Sequence, residues 1–303
     1  MEPKSLQLSN LVNMESPEAV FNEVKTIALM MFPTFDIPLL EHVFENFLRL
    51  FKGQYPGYRA CDTTYHDLKH TTDTFLAMMR IIHGADITDQ TFSQHNLMLG
   101  LISALFHDAG YILRDDEIGP GARYTQIHIK RSIAFVDGYL VSEGFTREDA
   151  DFCRNVLDCT GLDVNIGAMA FVSQENELLG KMLGTADLLG QMADRTYLEK
   201  LPFLYDEFHI AGIKGLGSEL DFFKNTIGFV AMTRRRFQDD LGGVNRYMRP
   251  HFQVRWGIDE DLYMRAIDNS LAYLEQILQT RPDNCRRCLR RAGVLRHLER
   301  IRG

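Results

Sequence analysis

"NLMLGLISALFHDAGYI", residues 96–112, is a run of apolar and small side chains that ends on a histidine and an aspartate. Its length and composition predict a buried helix from Leu97 to Phe106, terminated by the helix-breaking Gly110. His107 and Asp108 would then lie at the buried end of this helix, with no lysine or arginine one helical turn away. Burying a carboxylate without a partner is strongly unfavourable. A divalent cation would supply the missing charge, and an arginine from a distant segment is the alternative.

The same problem recurs in "ELLGKMLGTADLLGQM", residues 177–192, where Asp187 stands among leucines and methionines without a basic residue one turn away. A third segment, "TTYHDLKHTTDT", places His66 and His70 four residues apart, so both imidazoles would project from one face of a helix. Such a pair alone is more often a solvated or core feature. Two buried acids elsewhere in the chain favour a shared metal site.

Apolar residues recur at helical spacing along nearly the whole chain, and alternating strand patterns are scarce. The sequence therefore predicts an all-α protein of about ten helices. We expect residues 1–54 to form N-terminal helices that pack on the core and residues 55–280 to form the main domain. Residues 281–303 are predicted to form a basic C-terminal helix, whose "CRRC" motif joins an apolar stripe in preference to binding zinc.

The bulk composition limits the partners of this chain. A formal net charge of -8 over 303 residues argues against a surface built for nucleic acid or anionic lipid. Five cysteines, an odd number, favour reduced thiols over a disulfide framework. The amino terminus lacks the pattern of a secretory signal, and no apolar run is long enough to span a bilayer. We expect a cytoplasmic protein with a small-molecule substrate, and a homodimer is left open.

The order of a histidine, a His-Asp pair and a distant aspartate resembles the HD-domain metal-dependent phosphohydrolases. "YHDLKHTTD" is similar to the Y-H-N-x-x-H-A-x-D signature of the cyclic-nucleotide phosphodiesterase catalytic domain, with Asp67 and Thr71 as departures. Four further segments are similar to later parts of that domain: "LFHDAGY", "GTADLLG", "LYDEFHIAG" and "NTIGFVAMTRRRF". The resemblance covers about residues 60–255 and implies a phosphodiesterase-like multi-helix bundle with a metal site in its core.

The resemblance implies a cofactor of two divalent metal ions: zinc, iron, manganese or nickel at the tighter position and magnesium or manganese at the looser one. The implied ligands of the first ion are His70, His107, Asp108 and Asp187. Asp108 would also bridge to the second ion, for which His128 is a candidate ligand. His66 takes the position of the proton donor in the hydrolysis of a small phosphate ester by metal-activated water.

The resemblance also implies supporting roles for other residues of "YHDLKHTTD". Asp67 and Asp73 match positions whose side chains support the metal ligands, and Tyr65 matches a position beside the substrate. The family reads a purine with a glutamine and clamps its ring with a phenylalanine, and the matching residues here are Thr226 and Phe229. A threonine cannot offer the paired hydrogen bonds of a glutamine, so recognition of ordinary cyclic AMP or cyclic GMP is not expected.

The chain also departs from the family after the His-Asp pair. It continues "AGYILRDDE" where the family has a further aspartate and histidine, which leaves the ligands of the second ion open. The basic triplet Arg234–Arg236 is predicted to be a solvated face. Two other functions compete with phosphate ester hydrolysis: a regulatory HD module that binds a ligand without turnover, and a diiron oxygenase on the HD scaffold.

Overall fold

A computed structural model of the chain describes residues 6–88 and 90–289. Helices are the regular elements of these residues, which contain no β-strand; two isolated β-bridges join Lys52 to Ala60 and Tyr58 to Arg114. The predicted all-α class is therefore confirmed for the described part of the chain. None of its helices is long and apolar enough to cross a membrane.

The described residues form thirteen α-helices. They are α1 (Leu8–Leu11), α2 (Pro17–Met31), α3 (Ile37–Phe51), α4 (Leu68–Asp86), α5 (Gln94–Phe106), α6 (His128–Ser142), α7 (Arg147–Asp158), α8 (Gln174–Ala193), α9 (Tyr197–Ile210), α10 (Glu219–Asp239), α11 (Met248–Trp256), α12 (Leu262–Thr280) and α13 (Cys285–Cys288). Short 3-10 turns cover Ala109–Tyr111, Gly121–Tyr124, Ile166–Ala168, Val244–Tyr247 and Pro282–Asn284.

Helix α5 lies at the centre of the bundle. Its N-terminus is capped by Ser93, whose hydroxyl accepts a hydrogen bond from the backbone N–H of Asn96 at 3.1 Å. Every residue from Leu97 to Phe106 is buried, as expected for a helix that is apolar on all faces. Because α5 ends inside the protein, the residues that follow it, His107 and Asp108, are also buried.

Helices α4 and α8 pack side by side against α5, and the remaining helices surround these three. Helix α2 packs on α4, α3 on α5, and the α6–α7 pair on α5 and α8. Helices α11 and α12 cover the opposite side of α4 and α8. The leading helices thus join the same bundle as the main domain, while the domain boundaries stay a prediction.

Only the start of the predicted basic C-terminal helix falls within the described residues. There the short helix α13 holds Cys285, which is buried, and Cys288, whose carbonyl accepts a hydrogen bond from the Tyr273 hydroxyl at 2.7 Å. All five cysteines are free thiols. Residues 290–303, which would carry the rest of that helix, lie outside the described part, as do residues 1–5.

The expectation that Arg234–Arg236 is a solvated face is wrong at Arg236. This side chain is 4% exposed. Its guanidinium donates hydrogen bonds to the carbonyl oxygens of Cys159, Gly161 and Leu162 at 2.7–3.3 Å. Arg236 therefore satisfies the carbonyls at the end of α7, a role that its neighbours in sequence did not reveal.

Gly84 allows α4 to touch the segment that leads into α11. An added Cβ at Gly84 would lie 1.8 Å from the carbonyl oxygen of Tyr247, which is backbone and cannot rotate away. We expect Gly84→Ala to lower the free energy of unfolding by about 3 kcal/mol or more, as overpacking does. Gly138→Ala is the matched control, because Gly138 lies in α6 with nothing within 4 Å of the added Cβ.

Urea denaturation measures both effects as shifts of the midpoint at constant slope. The control should gain about 0.5–1 kcal/mol, since alanine is the better helix former. Equal midpoints for the two variants would show that α4 and the Tyr247 backbone do not meet as described.

A buried histidine pair at the α4–α11 contact predicts acid sensitivity. Nδ1 of His83 and Nδ1 of His251 are 3.1 Å apart. Burial lowers the pKa of His83 to about 4, and burial with the nearby Arg80 charge lowers the pKa of His251 to about 2. An unfolded histidine has a pKa of about 6.5. Below that pH, His83 and His251 therefore bind protons in the unfolded chain but stay neutral in the folded chain. The stabilisation from keeping both rings neutral is complete above pH 6.5 or so and is lost as the pH falls towards 4.

The melting temperature should therefore fall between pH 7.5 and pH 5, and this fall should be smaller in His251→Gln. His42→Gln serves as the control, since the His42 side chain is 51% exposed. The explanation fails if both variants lose the same number of degrees as the wild type.

Candidate metal centre

Three helices bring four candidate ligands to one point. His70 lies in the first turn of α4, His107 and Asp108 follow the end of α5, and Asp187 lies in the middle of α8. His70 Nε2 lies 3.1 Å from Asp187 Oδ1 and 3.3 Å from Asp108 Oδ2. His107 Nε2 lies 3.3 Å from Asp108 Oδ2, 3.6 Å from Asp187 Oδ1 and 3.3 Å from His70 Nε2.

These separations are those of ligands that share one ion. Nitrogen and oxygen ligands at about 2.0–2.2 Å from a metal hold their neighbours about 3.0–3.6 Å apart in octahedral or tetrahedral geometry. The donor atoms of His70, His107 and Asp187 all lie within 4.8 Å of one another. Imidazole and carboxylate donors suit divalent transition metals, so both the spacing and the chemistry of this set fit a cation.

Asp108 and Asp187 form ion pairs with histidines and not with an arginine. Within the described residues, every ion pair of Asp108 and Asp187 has a histidine as its partner. Burial alone would raise the pKa of Asp108, but the His107 charge lowers it well below its usual range. Burial lowers the pKa of His70, yet contact with the carboxylates of Asp108 and Asp187 outweighs it and raises the pKa to about 9.

Backbone carbonyls fix which imidazole nitrogen faces the cluster. His107 Nδ1 lies 2.9 Å from the carbonyl oxygen of Ala104, and His128 Nδ1 lies 2.6 Å from that of Thr125. A carbonyl only accepts, so each Nδ1 carries the proton, and in the neutral ring Nε2 keeps its lone pair. A lone pair that faces a carboxylate is repulsive unless the ring is protonated or a cation lies between them. This is the tautomer of a metal ligand.

Asp108 lies between two groups of histidines. Its Oδ2 faces His70 and His107, whereas its Oδ1 lies 3.7 Å from His128 Nε2. Oδ2 is buried and accepts no hydrogen bond of good geometry from the described residues. Asp108 thus has imidazole nitrogens near both of its oxygens, and His128, from α6, lies on the Oδ1 side.

Gly110 explains how α6 comes so close. An added Cβ at this position would lie 1.9 Å from the carbonyl oxygen of His128. Its backbone N–H donates to Ser132 Oγ at 2.9 Å, which fastens the 3-10 turn after α5 onto α6. Gly110 is therefore a point of close approach between two segments as well as the predicted helix breaker, a role that its sequence position did not reveal.

His66 is held by a buried glutamate that the sequence analysis did not single out. His66 Nδ1 lies 2.7 Å from Oε2 of Glu207, while Oε1 of Glu207 accepts hydrogen bonds from the backbone N–H groups of Thr64 and Tyr65 at 2.8 and 2.7 Å. The Glu207 side chain is 4% exposed. With Nδ1 committed to this carboxylate, Nε2 of His66 is the nitrogen left for another partner. The "LYDEFHIAG" segment contained the signal, but no role was given to its glutamate.

Tyr111 is a second residue that the sequence analysis missed. Its ring stacks on His66 at a centroid distance of 4.5 Å and on His128 at 4.6 Å, with interplanar angles of 13° and 19°. The His66 and His128 ring centroids are themselves 6.3 Å apart, so both histidines contact Tyr111 without being separated by it. The His66 ring centroid lies 5.8 Å from that of His70, so His66 stands next to the four converging ligands.

The expected supporting aspartates contact lysines. Asp67 caps α4, because its Oδ1 accepts from the backbone N–H of His70 at 2.8 Å, and its Oδ2 accepts from Lys200 at 3.0 Å. Asp73 Oδ2 accepts from Lys69 at 2.6 Å. Asp67 therefore supports the helix that carries His70, whereas the hydrogen bond of Asp73 is to Lys69 and not to any of the candidate ligands.

The expected substrate contacts lie in less accessible places. Tyr65 is 3% exposed and belongs to the hydrophobic core, where its backbone N–H holds Glu207. Thr226 is 5% exposed, and its hydroxyl donates back to the carbonyl of Phe222 within α10 at 3.1 Å. Phe229 is half-buried against the core. The side chains of Tyr65 and Thr226 are thus buried, and their expected contacts with a substrate stay predictions.

Solvent reaches the cluster from one side. The side chains of Asp187 and His128 are each 21% exposed and that of His66 is 11% exposed, whereas His107 and Asp108 are almost fully buried. A cavity of about 380 Å³ next to Glu207 is lined by Asp62, Thr63, Thr64, Pro120 and Ile210, among others. A ligand would approach the cluster past His66 and His128.

Comparison with known proteins adds one finding. A family model described as Npun_R2479-like matches residues 57–225, more than half of the chain. The matched segment contains every side chain of the cluster as well as His66, Tyr111 and Glu207. No curated protein and no solved structure matches the chain.

Proposed function

The chain belongs to the Npun_R2479-like family, and we propose that it is a metal-dependent phosphohydrolase that cleaves a small phosphate ester, with nucleotide-type phosphodiesters as the first candidates. The observation that carries this proposal is the convergence of two imidazole nitrogens and two carboxylate oxygens beside a histidine held by a buried glutamate. A binding site alone would not need such a histidine.

The residues present fit two divalent ions. His70, His107, Asp108 and Asp187 would hold the first, and Asp108 with His128 would hold the second. When bound, such ions supply an activated water and neutralise the phosphate oxygens. The single accessible side of the cluster limits the approach of a substrate to the edge formed by Asp187, His128 and His66.

His66 is proposed to act as the general acid. Glu207 orients the ring through Nδ1, so Nε2 is the nitrogen that can give a proton to the departing ester oxygen. Because Tyr111 stacks on the ring, His66 is also fixed in plane. A positioned acid of this kind contributes about 10²- to 10⁴-fold to the rate.

The purified full-length chain should be tested with cyclic mononucleotides, cyclic dinucleotides, nucleotides and an artificial aryl diester. Elemental analysis should accompany the screen, and each substrate should be assayed after chelation and after addition of manganese, zinc, iron or magnesium. We expect hydrolysis that chelation abolishes and a divalent metal restores.

The same screen separates the competing functions. Equal activity in air and under nitrogen is expected of a phosphohydrolase, whereas oxygen consumption with bound iron would indicate the diiron oxygenase. Tight nucleotide binding without turnover under every metal condition would indicate a regulatory module. Either of these two results would overturn the proposal.

A further inference from the structure

A second cavity lies behind the metal centre, between the N-terminal segment and helices α4, α8 and α12. Its volume is about 180 Å³. An apolar cavity of about 150 Å³ accommodates benzene, so this one has room for a ligand of about six to nine non-hydrogen atoms. Apolar side chains form much of its wall: Leu8, Met14, Ala193, Leu262 and Ala266.

A buried network of charges lines the floor of this cavity. Lys69 Nζ lies 2.6 Å from Asp73 Oδ2 and 3.2 Å from Asp194 Oδ1. Lys200 Nζ lies 3.8 Å from Asp194 Oδ2 and 3.0 Å from Asp67 Oδ2. Three carboxylates therefore share two ammonium groups, and the exposed carboxylate of Glu15, at the same cavity, lies 3.9 Å from Lys69 Nζ.

Asp73 is the carboxyl group of this network with an oxygen that lacks a partner within the described part of the chain, and burial raises its pKa to about 7. This residue lines the cavity and is 2% exposed, yet its Oδ1 accepts no hydrogen bond from any described residue. A buried carboxylate oxygen without a partner is costly. A ligand that donates hydrogen bonds and carries a positive charge would complete this site.

Arg195 offers the opposite charge at the same cavity. It lines the cavity and is exposed, and the described residues contain no ion pair or hydrogen bond for its side chain. The other arginine in the lining, Arg265, is already paired with Glu260 and with the carbonyl oxygen of Leu6. The guanidinium of Arg195 is thus free to bind a carboxylate.

We propose that this cavity binds a small zwitterion of the amino-acid type, whose ammonium group pairs with Asp73 and whose carboxylate pairs with Arg195. Its apolar wall selects a ligand with a short hydrocarbon part. The site is separate from the histidine cluster, and the inference does not depend on the proposed hydrolase activity.

Isothermal titration of the full-length chain with L-leucine tests the proposal. We expect saturable binding with a Kd of about 1 mM or tighter, the range that a ligand of this size reaches. Isopentylamine, which lacks the carboxylate, and 4-methylpentanoate, which lacks the ammonium group, should each bind at least about tenfold more weakly. Binding should persist in Asp108→Asn, which excludes chelation of a metal by the amino acid.

Two variants probe the two ends of the ligand. Asp73→Asn and Arg195→Gln should each raise the Kd for L-leucine at least about tenfold, whereas Arg114→Gln, an exposed arginine outside the cavity, should leave it unchanged. Since Arg195 is exposed, its variant will fold even if Asp73→Asn does not. Absence of saturable binding up to 10 mM or so, or an unchanged Kd in Arg195→Gln, would overturn the proposal.

Discussion

Asp108→Asn is expected to remove bound metal from the protein and to reduce hydrolysis of its best phosphate ester below detection. Oδ2 of Asp108 faces His70 and His107, and Oδ1 faces His128. One substitution at Asp108 therefore alters a proposed ligand of both metal ions. An asparagine keeps the shape of the side chain but loses the negative charge that two cations would share. The metal content measured by elemental analysis and the turnover rate should therefore fall together.

Asp116→Asn is the matched control. Asp116 lies in the loop that follows the same helix, and its side chain is 81% exposed. This variant should keep the metal content and the turnover rate of the wild type. If Asp108→Asn retained metal and activity, the cluster could not be the catalytic centre.

His66→Asn is expected to lower turnover by about 10²- to 10⁴-fold while the metal content stays unchanged. The reason is geometric: Nδ1 of His66 is committed to Glu207, and the ring stands beside the four ligands without being one of them. Glu207→Gln should lower turnover at least about tenfold. Its amide could accept a hydrogen bond through one oxygen only, whereas Glu207 uses both oxygens.

The leaving group provides a test that a structural defect would not mimic. An acid matters most when the departing group is a poor one, so the loss in His66→Asn should be large for an alkyl or nucleoside ester and small for a nitrophenyl ester. His42→Asn is the control, because Nε2 of His42 contacts Glu143 at 2.9 Å in a similar pair on the surface. An equal loss for both kinds of ester would contradict the role of His66 as an acid.

The structural features that could be predicted from the sequence are those determined by residues that lie close together in the chain. The apolar run from Leu97 to Phe106 requires burial, and burial makes the next two residues, His107 and Asp108, depend on partners. That reasoning needed no knowledge of the rest of the chain. The all-α class followed in the same way, from helical spacing repeated along the sequence.

The missed features depend on residues that meet only after folding. Glu207 lies 141 positions from His66 in the sequence, and no spacing rule connects them. Tyr111 directly follows the buried His-Asp segment, and its position in the sequence does not show that it contacts two histidines. Thr226 lies within a helix, and its hydroxyl donates to a carbonyl of that same helix, which spacing alone does not show. Periodicity reports which face of a helix is apolar and does not report which distant side chain faces it.

The Tyr111 ring contacts both His66 and His128, at centroid distances of 4.5 and 4.6 Å. His66 is the proposed source of a proton, and His128 would hold a cation. Because the two histidine rings lie only 6.3 Å apart, the tyrosine is a shared neighbour of both and not a spacer between them. A substitution at residue 111 is therefore expected to disturb proton transfer and cation binding together.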